Sequence, residues 1–362
     1  MVDPIHLPLA KDLQNYCWLL KTMYSPKRRL RLFRDPAFSG PTISDTTVYT
    51  YSWTQQSSAP SQRYAMFDVD DTGDTIVSTR WTSTSGQQGP YISTNKGATW
   101  SRKVTGITLG GTLLTHSVCV ARSSPLIMYA TTSPTTGSIY KSTDGGNNWV
   151  DIGPLSASWN GIKCNSSGSI IVAAASSSYL YKSTDGGATW TAMTGAGTPQ
   201  WDSVFVSDDG LVIVGCAVPG NLQVSRNGGT TWSSITTVGL NRLWRGISGS
   251  TDGKVLFACS SGSSGKPVLS TDYGVTWSAI SIGSATVSWW NTAVSINGNK
   301  LLTAQSDGYI YVSQDGGSNW TSFTSSPGLS AQTWEGLAMT PDGKTMIVGV
   351  QGTDKPWVAT GT

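Results

Sequence analysis

One eight-residue pattern recurs six times and constrains the fold more than any other feature of the chain. It runs Ser93-Thr94-Asn95-Lys96-Gly97-Ala98-Thr99-Trp100 and returns at 142–149, 183–190, 225–232, 270–277 and 313–320. Its tryptophans lie 49, 41, 42, 45 and 43 residues apart. A period of about 40–45 residues is the length of four short strands with their turns, the unit of a propeller blade.

A second pattern runs in phase with the first. Trp159-Asn160-Gly161-Ile162, Trp201-Asp202-Ser203-Val204, Trp244-Arg245-Gly246-Ile247, Trp290-Asn291-Thr292-Ala293 and Trp334-Glu335-Gly336-Leu337 each open an apolar strand. Degenerate copies begin near Tyr64 and His116, which makes seven opening strands. Turns such as Asp209-Gly210, Asp252-Gly253 and Asp342-Gly343 separate them from a following apolar run, a hairpin signal. The seventh repeat stops short. Residues 354–362 align with 265–272, so the last box and outer strand are missing. An alternating segment at 47–54, ending Ser52-Trp53-Thr54, resembles the exit of a box and is expected to supply that strand. The fold class expected is therefore all-β: a seven-bladed β-propeller of four-stranded blades over residues 46–362, its ring closed by an N-terminal strand. Residues 1–45 form a separate extension.

The box resembles the Asp-box, Ser-x-Asp-x-Gly-x-x-Trp, also called the bacterial neuraminidase repeat. The resemblance implies a hairpin between the third and fourth strands at the rim of each blade. It gives Asn95, Asp144, Asp185, Asn227, Asp272 and Asp315 a turn-capping role. Trp100, Trp149, Trp190, Trp232, Trp277 and Trp320 are then packing residues. Families that share the box include sialidases, xyloglucan-cleaving glycosidases, sortilin-type receptors and the photosystem II assembly/stability factor, and fold alone does not choose among them. Phe33-Arg34-Asp35-Pro36 is similar to the Phe/Tyr-Arg-Ile-Pro segment of sialidases, but places a carboxylate beside the arginine. Glu335 is the single glutamate, at a repeat position where Asn160, Asp202, Arg245 and Asn291 also stand. Glycoside hydrolysis generally needs two carboxylates at a controlled separation. Ordinary repeat variation explains Glu335 more simply, so no catalytic residue is assigned.

Composition supports this reading. Charged residues are only 12% of the chain, and a chain with one glutamate is not mainly helical. Sixteen tryptophans require a packed core. The five cysteines, Cys17, Cys119, Cys164, Cys216 and Cys259, are widely spaced without a Cys-x-x-Cys pair, and there are two histidines. Free cysteines acting as small hydrophobes, with no metal and no cofactor, are expected. Trp289 and Trp290, with Arg242 and Arg245 in repeat phase and Glu335, form a candidate rim for a glycan or a partner.

The extension carries the charge. Residues 1–45 hold seven basic and four acidic groups, which is the whole net charge of +3, and the remainder is balanced at 17 of each. A helix is expected over 9–23 with Leu13, Cys17 and Leu20 on its apolar face, followed by Lys27, Arg28, Arg29, Arg31 and Arg34. These eight residues are the expected docking set for other protein subunits of an assembly. No apolar run is long enough to span a membrane, and no secretory signal is evident. The sequence leads to a non-catalytic structural or interaction subunit, with a virion as the leading assembly and the cytoplasm as the other location. A glycan-binding or glycan-cleaving propeller is the first alternative, and an assembly factor similar to the photosystem II factor the second. A nucleic-acid partner is not favoured.

Overall fold

Alternating apolar residues and tight Asp-Gly or Asn-Gly turns make hairpins, and the hairpins stack into blades. The computed structural model describes residues 47–80, 87–109, 114–134, 136–262, 265–283, 288–306, 308–323, 329, 332–352 and 355–362. The expected helix and the docking set Leu13, Cys17, Leu20, Lys27, Arg28, Arg29, Arg31 and Arg34 lie outside the described residues. Among the described residues, 28 strands pair into seven four-stranded antiparallel sheets. The chain is a seven-bladed β-propeller.

The first strands of blades 1 to 7 are Tyr64–Val69, Leu114–Val120, Trp159–Cys164, Trp201–Val206, Leu243–Gly249, Trp289–Val294 and Trp334–Met339. All seven line one central cavity, so they are the innermost strands. Antiparallel order then defines two faces. The first strands start on the entry face, together with the connections between blades. The first hairpin of each blade and the boxes lie on the opposite, box face.

Blade 7 is closed as the sequence led us to expect. Tyr51–Gln55 pairs antiparallel with Trp357–Gly361, from Tyr51 opposite Gly361 to Gln55 opposite Trp357. Closure leaves no unpaired strand edge in that blade's interior.

The opening tryptophans are the main packing device. Trp159, Trp201, Trp244, Trp289 and Trp334 are all fully buried. Each packs on the blade before it: Trp201 against Val172, Ala174 and Leu180, and Trp244 against Val214, Cys216 and Leu222. Small residues on the second strands make room. A Cβ added at Gly215 would sit 2.7 Å from the Trp201 ring. Cys216 and Cys259 fill corresponding places under Trp244 and Trp289. Cys119 is likewise free and fully buried, and across the interface of blades 2 and 3 it meets Cys164, which is free but only half-buried.

The boxes are turn-capping units. In the third blade, Ser183 Oγ donates to Asp185 Oδ1 at 2.8 Å and accepts from the Gly187 amide at 2.8 Å. Asp185 Oδ1 also accepts from the Thr189 amide at 2.9 Å. Asn95 and Asn227 accept from the Thr99 and Thr231 amides in the same way, at 2.8 and 2.9 Å. These turns need two consecutive left-handed residues, with φ 68° at Gly186 and 94° at Gly187. The hydrogen bonds hold the Asp144 and Asp185 carboxyls down at about 2. Cations then tie one box to the next. Lys141 Nζ donates to Gly186 O at 2.8 Å, Lys182 Nζ to Gly228 O at 3.3 Å, and Arg226 Nε to Tyr273 O at 2.9 Å. The aspartates are thus spent on turns, and the neighbouring cations on holding blades together.

Candidate binding site

Directly after its opening residue, each first strand is interrupted by a register irregularity. A bulge leaves one residue unpaired and re-aims its side chain. The position that follows the opening residue is occupied by Ala65, His116, Asn160, Asp202, Arg245, Trp290 and Glu335 in blades 1 to 7. These seven positions stand in a ring at the entry-face ends of the innermost strands, and none of them is among the residues that line the central cavity.

The ring is wired from blade to blade. His116 Nδ1 lies 2.7 Å from Asn160 O, so this nitrogen carries the proton and donates. Asn160 Nδ2 donates to Trp201 O at 2.8 Å. Arg245 NH1 lies 3.5 Å from Asp202 Oδ1, its Nε donates to Ser261 Oγ at 3.1 Å, and its guanidinium sits 5.2 Å from the centre of the Trp290 ring. Glycines after the bulge allow this closeness. A Cβ at Gly246 would lie 2.8 Å from Asn291 Cα, and one at Gly336 2.9 Å from the Ala65 backbone.

The rim expected from sequence is partly assembled. Arg245 and Trp290 meet, and Asp202 joins them. Trp289 does not: it is buried in the core, 5.6 Å from the Tyr311 ring. The sequence reading had made Trp290 the opening residue of blade 6, and the structure moves that role to Trp289. Asn291 accordingly leaves the ring position, which Trp290 takes. The spacing that marks the difference was present in the chain. Every opening residue stands six positions before the first residue of its hairpin turn, as Trp201 does before Ser207 and Trp244 before Ser250, and six before Ser295 is Trp289.

Arg242 is a fastener of its loop. It donates to Ser260 Oγ at 2.7 Å, Val238 O at 2.8 Å and Lys266 O at 2.8 Å, and stacks 4.4 Å from the Trp244 ring centre. Glu335 is buried and bound by Arg63, whose Nε donates to Oε2 at 2.7 Å while a second guanidinium nitrogen holds Oε1. Arg63 escaped the sequence reading because it lies between the closing strand and blade 1, in a stretch with no repeat partner.

Deeper in the channel, two ion pairs each step over one blade. Lys163 Nζ lies 2.9 Å from Asp68 Oδ1, and Arg122 NH2 3.3 Å from Asp208 Oδ1. These pairs match cation with anion inside the cavity, in keeping with a ring that carries balanced charge.

Two ring groups have displaced protonation. Burial pushes the Asp202 carboxyl up to about 6, against the opposing pull of Arg245. Burial pushes the His116 imidazole down to about 4, with the Arg245 charge adding to the shift and the Asn160 carbonyl opposing it. The signs oppose. From about pH 6 down to about 4, folded Asp202 holds more protons than the unfolded chain, so its contribution rises as pH falls. His116 holds fewer over about pH 6.5 to 4, so its contribution falls. The two nearly cancel in the wild type, and single substitutions expose them. In urea melts, Asp202→Asn is expected to gain about 1–2 kcal/mol at pH 7.5 and nothing at pH 4. His116→Gln is expected to gain a similar amount at pH 4.5 and little at pH 7.5. Parallel pH profiles for wild type and both variants would contradict these shifts.

No protein-family model and no curated protein matches the sequence. Solved structures do share the fold. The GH74 xyloglucanase from Xanthomonas campestris superposes with a TM-score of 0.66 at 14% identity, over 85% of this chain and 53% of that one. YCF48 bound to D1 peptide gives 0.62 at 16% identity, over 87% of this chain and 98% of that one. YCF48 from Cyanidioschyzon merolae gives 0.61 at 15% identity, over 85% and 98%. The chain thus spans about half the length of the xyloglucanase and nearly all of YCF48. At such identities the likeness is one of fold.

Proposed function

We propose that this chain is a non-catalytic Asp-box propeller that binds a protein segment at the channel mouth on its entry face. The observation that carries the reading is the half-buried stack of Arg245 on Trp290 beside Asp202. Tryptophan and arginine dominate binding energy at protein interfaces, because a flat apolar face and a fixed charged fork sit side by side. The peptide bound by YCF48, a propeller of matching length, supports the same use of the fold. Residues 1–45 are the proposed second docking element, joining the ring to other subunits of an assembly. A virion is our proposal for that assembly, resting on the Ser/Thr/Gly-rich, Glu-poor composition of the chain.

A glycan-cleaving reading draws on one observation: Asp202, pushed up to about 6, has the protonation of a general acid. The other carboxylate it would need, Glu335, has both oxygens engaged by Arg63. Glu335 sits with Arg63 where blade 7 meets blade 1, and Asp202 pairs with Arg245 between blades 4 and 5, so no contact among the described residues brings the two carboxylates to one bond and the site supports binding better than hydrolysis.

Panning of a random peptide library on the full chain tests the proposal. Trp290→Ala and Arg245→Ala are expected to weaken the selected peptides by about 30-fold, as for a contact worth about 2 kcal/mol. Wild-type affinity in both variants would remove the site. Release of sugar from xyloglucan or a sialoside, abolished in Asp202→Asn, would overturn the non-catalytic reading.

A further inference from the structure

The interface of blades 2 and 3 holds a thiol pair that neither the fold nor the channel mouth accounts for. Cys119 Sγ donates to Cys164 Sγ at 3.4 Å, between two neighbouring first strands. The two thiols differ in surroundings. Cys119 is fully buried among Tyr129, Ile139 and Trp159. Cys164 is half-buried and lines the central cavity of about 130 Å³, next to Lys163. One sulfur is therefore reachable from the channel and the other waits behind it. Cys216 and Cys259 are both fully buried in other blade interfaces.

We propose that Cys119 and Cys164 are an oxidisable dithiol, a modification site at which a hydroperoxide links the first strands of blades 2 and 3 through a disulfide. A disulfide requires an S–S separation of about 2.05 Å, so the sulfurs must close by about 1.4 Å, a change that side-chain rotation and small strand movement supply. In the first step the Cys164 thiolate attacks the peroxide. The O–O bond breaks, an S–O bond forms, and water or an alcohol leaves with the proton that Cys164 gave up. In the second step Cys119 sulfur attacks the sulfenic sulfur. The S–S bond forms, the S–OH bond breaks, and hydroxide leaves with the Cys119 proton as water. Two thiols lose two electrons and two protons, and the peroxide accepts them. Burial and the neighbouring sulfur push the Cys119 thiol well up, so it keeps its proton until the leaving hydroxide takes it. The division of labour is that of a channel-facing attacking thiol with a resolving partner beside it.

The full chain carrying Cys17→Ser, treated with hydrogen peroxide and mapped by mass spectrometry without reduction, tests the proposal. The expected result is an intact mass lower by about 2 Da, the two hydrogens of the thiols, in one 119–164 linkage that dithiothreitol reverses. Adding Cys164→Ser, a change at the half-buried position that spares the core, is expected to abolish the linkage. Three results would overturn the proposal: oxygen accumulating on Cys164 while Cys119 stays open to alkylation after unfolding, a linkage to Cys216, Cys259 or a second molecule, or an unchanged mass.

Discussion

A chain that starts at residue 55 is expected to be insoluble, or to melt at least 10 °C below wild type, whereas a chain that starts at residue 45 should melt within about 2 °C of it. The difference between the two truncations is residues 45–54, which hold all but the last residue of the strand Tyr51–Gln55. Tyr49 and Thr50 tie the start of the ring to its last two blades. Thr50 and Thr362 exchange backbone hydrogen bonds at 3.2 and 3.0 Å, and Tyr49 bonds the Gln314 side chain at 2.7 and 2.9 Å. Tyr51 is buried, and its hydroxyl donates to Gly343 O at 2.9 Å. Trp53 meets the Phe323 ring of blade 6 at 5.7 Å, as a box tryptophan meets the blade before it. Removing the strand takes three aromatic side chains out of this corner and leaves Trp357–Gly361 as a naked edge over the seam of the ring. A fully buried aromatic such as Tyr51 is worth about 2–3 kcal/mol in transfer alone, and with the half-buried Tyr49 and Trp53 and the lost strand pairing the loss is a large share of an ordinary domain's stability of about 5–15 kcal/mol. The exposed edge would then recruit other chains. Circular dichroism melts of both truncations measure this. Equal melting of the two would mean that the ring holds without its closing strand. Tyr51→Ala, a milder form of the same lesion, should fall between them.

Much of this architecture could be read from residue order because a propeller repeats one local problem seven times. Each box must cap its own turn with its own Ser and its own Asp or Asn, and each opening tryptophan must find the sheet before it. Both demands act within one period, so they leave a visible pattern. The channel mouth obeys a different logic. Its residues are unlike one another, because a bulged position packs on nothing that repeats. That Asn160 reaches Trp201 O while Arg245 reaches Asp202 depends on ring geometry that joins positions 41 to 43 residues apart. Arg63 was hidden for want of a repeat partner, since its bond to Glu335 spans 272 residues and exists only after closure. The thiol pair was hidden by phase. Cys119 lies four positions after the start residue Thr115 and Cys164 five after Trp159, so aligning the repeats sets them apart. Opposite faces of neighbouring strands bring them together.

The sharpest test of the corrected register lies in two adjacent tryptophans. Trp289→Ala is expected to cost about 3–5 kcal/mol, the range for removing a large aromatic from a packed core. Trp290→Ala is expected to cost under about 1 kcal/mol. Trp289 is fully buried with Cys259 and Tyr311 and with Ile282 and Trp320 against them, so truncation would leave a cavity at the blade interface. Its indole nitrogen is buried without a hydrogen-bond partner among the described residues, so Trp289→Phe should recover most of the loss: the ring's apolar contacts return and the orphan donor disappears. Trp290 is half-buried, and its recorded ring partner is the Arg245 guanidinium, a contact worth about 0.5–1 kcal/mol at a partly exposed site. Urea melts of the three variants separate the roles. Trp290→Ala should be stable and poor at binding, while Trp289→Ala should be unstable whatever it binds. The reverse order would restore Trp290 as the core residue and take the arginine stack, and with it the binding mouth, out of the molecule.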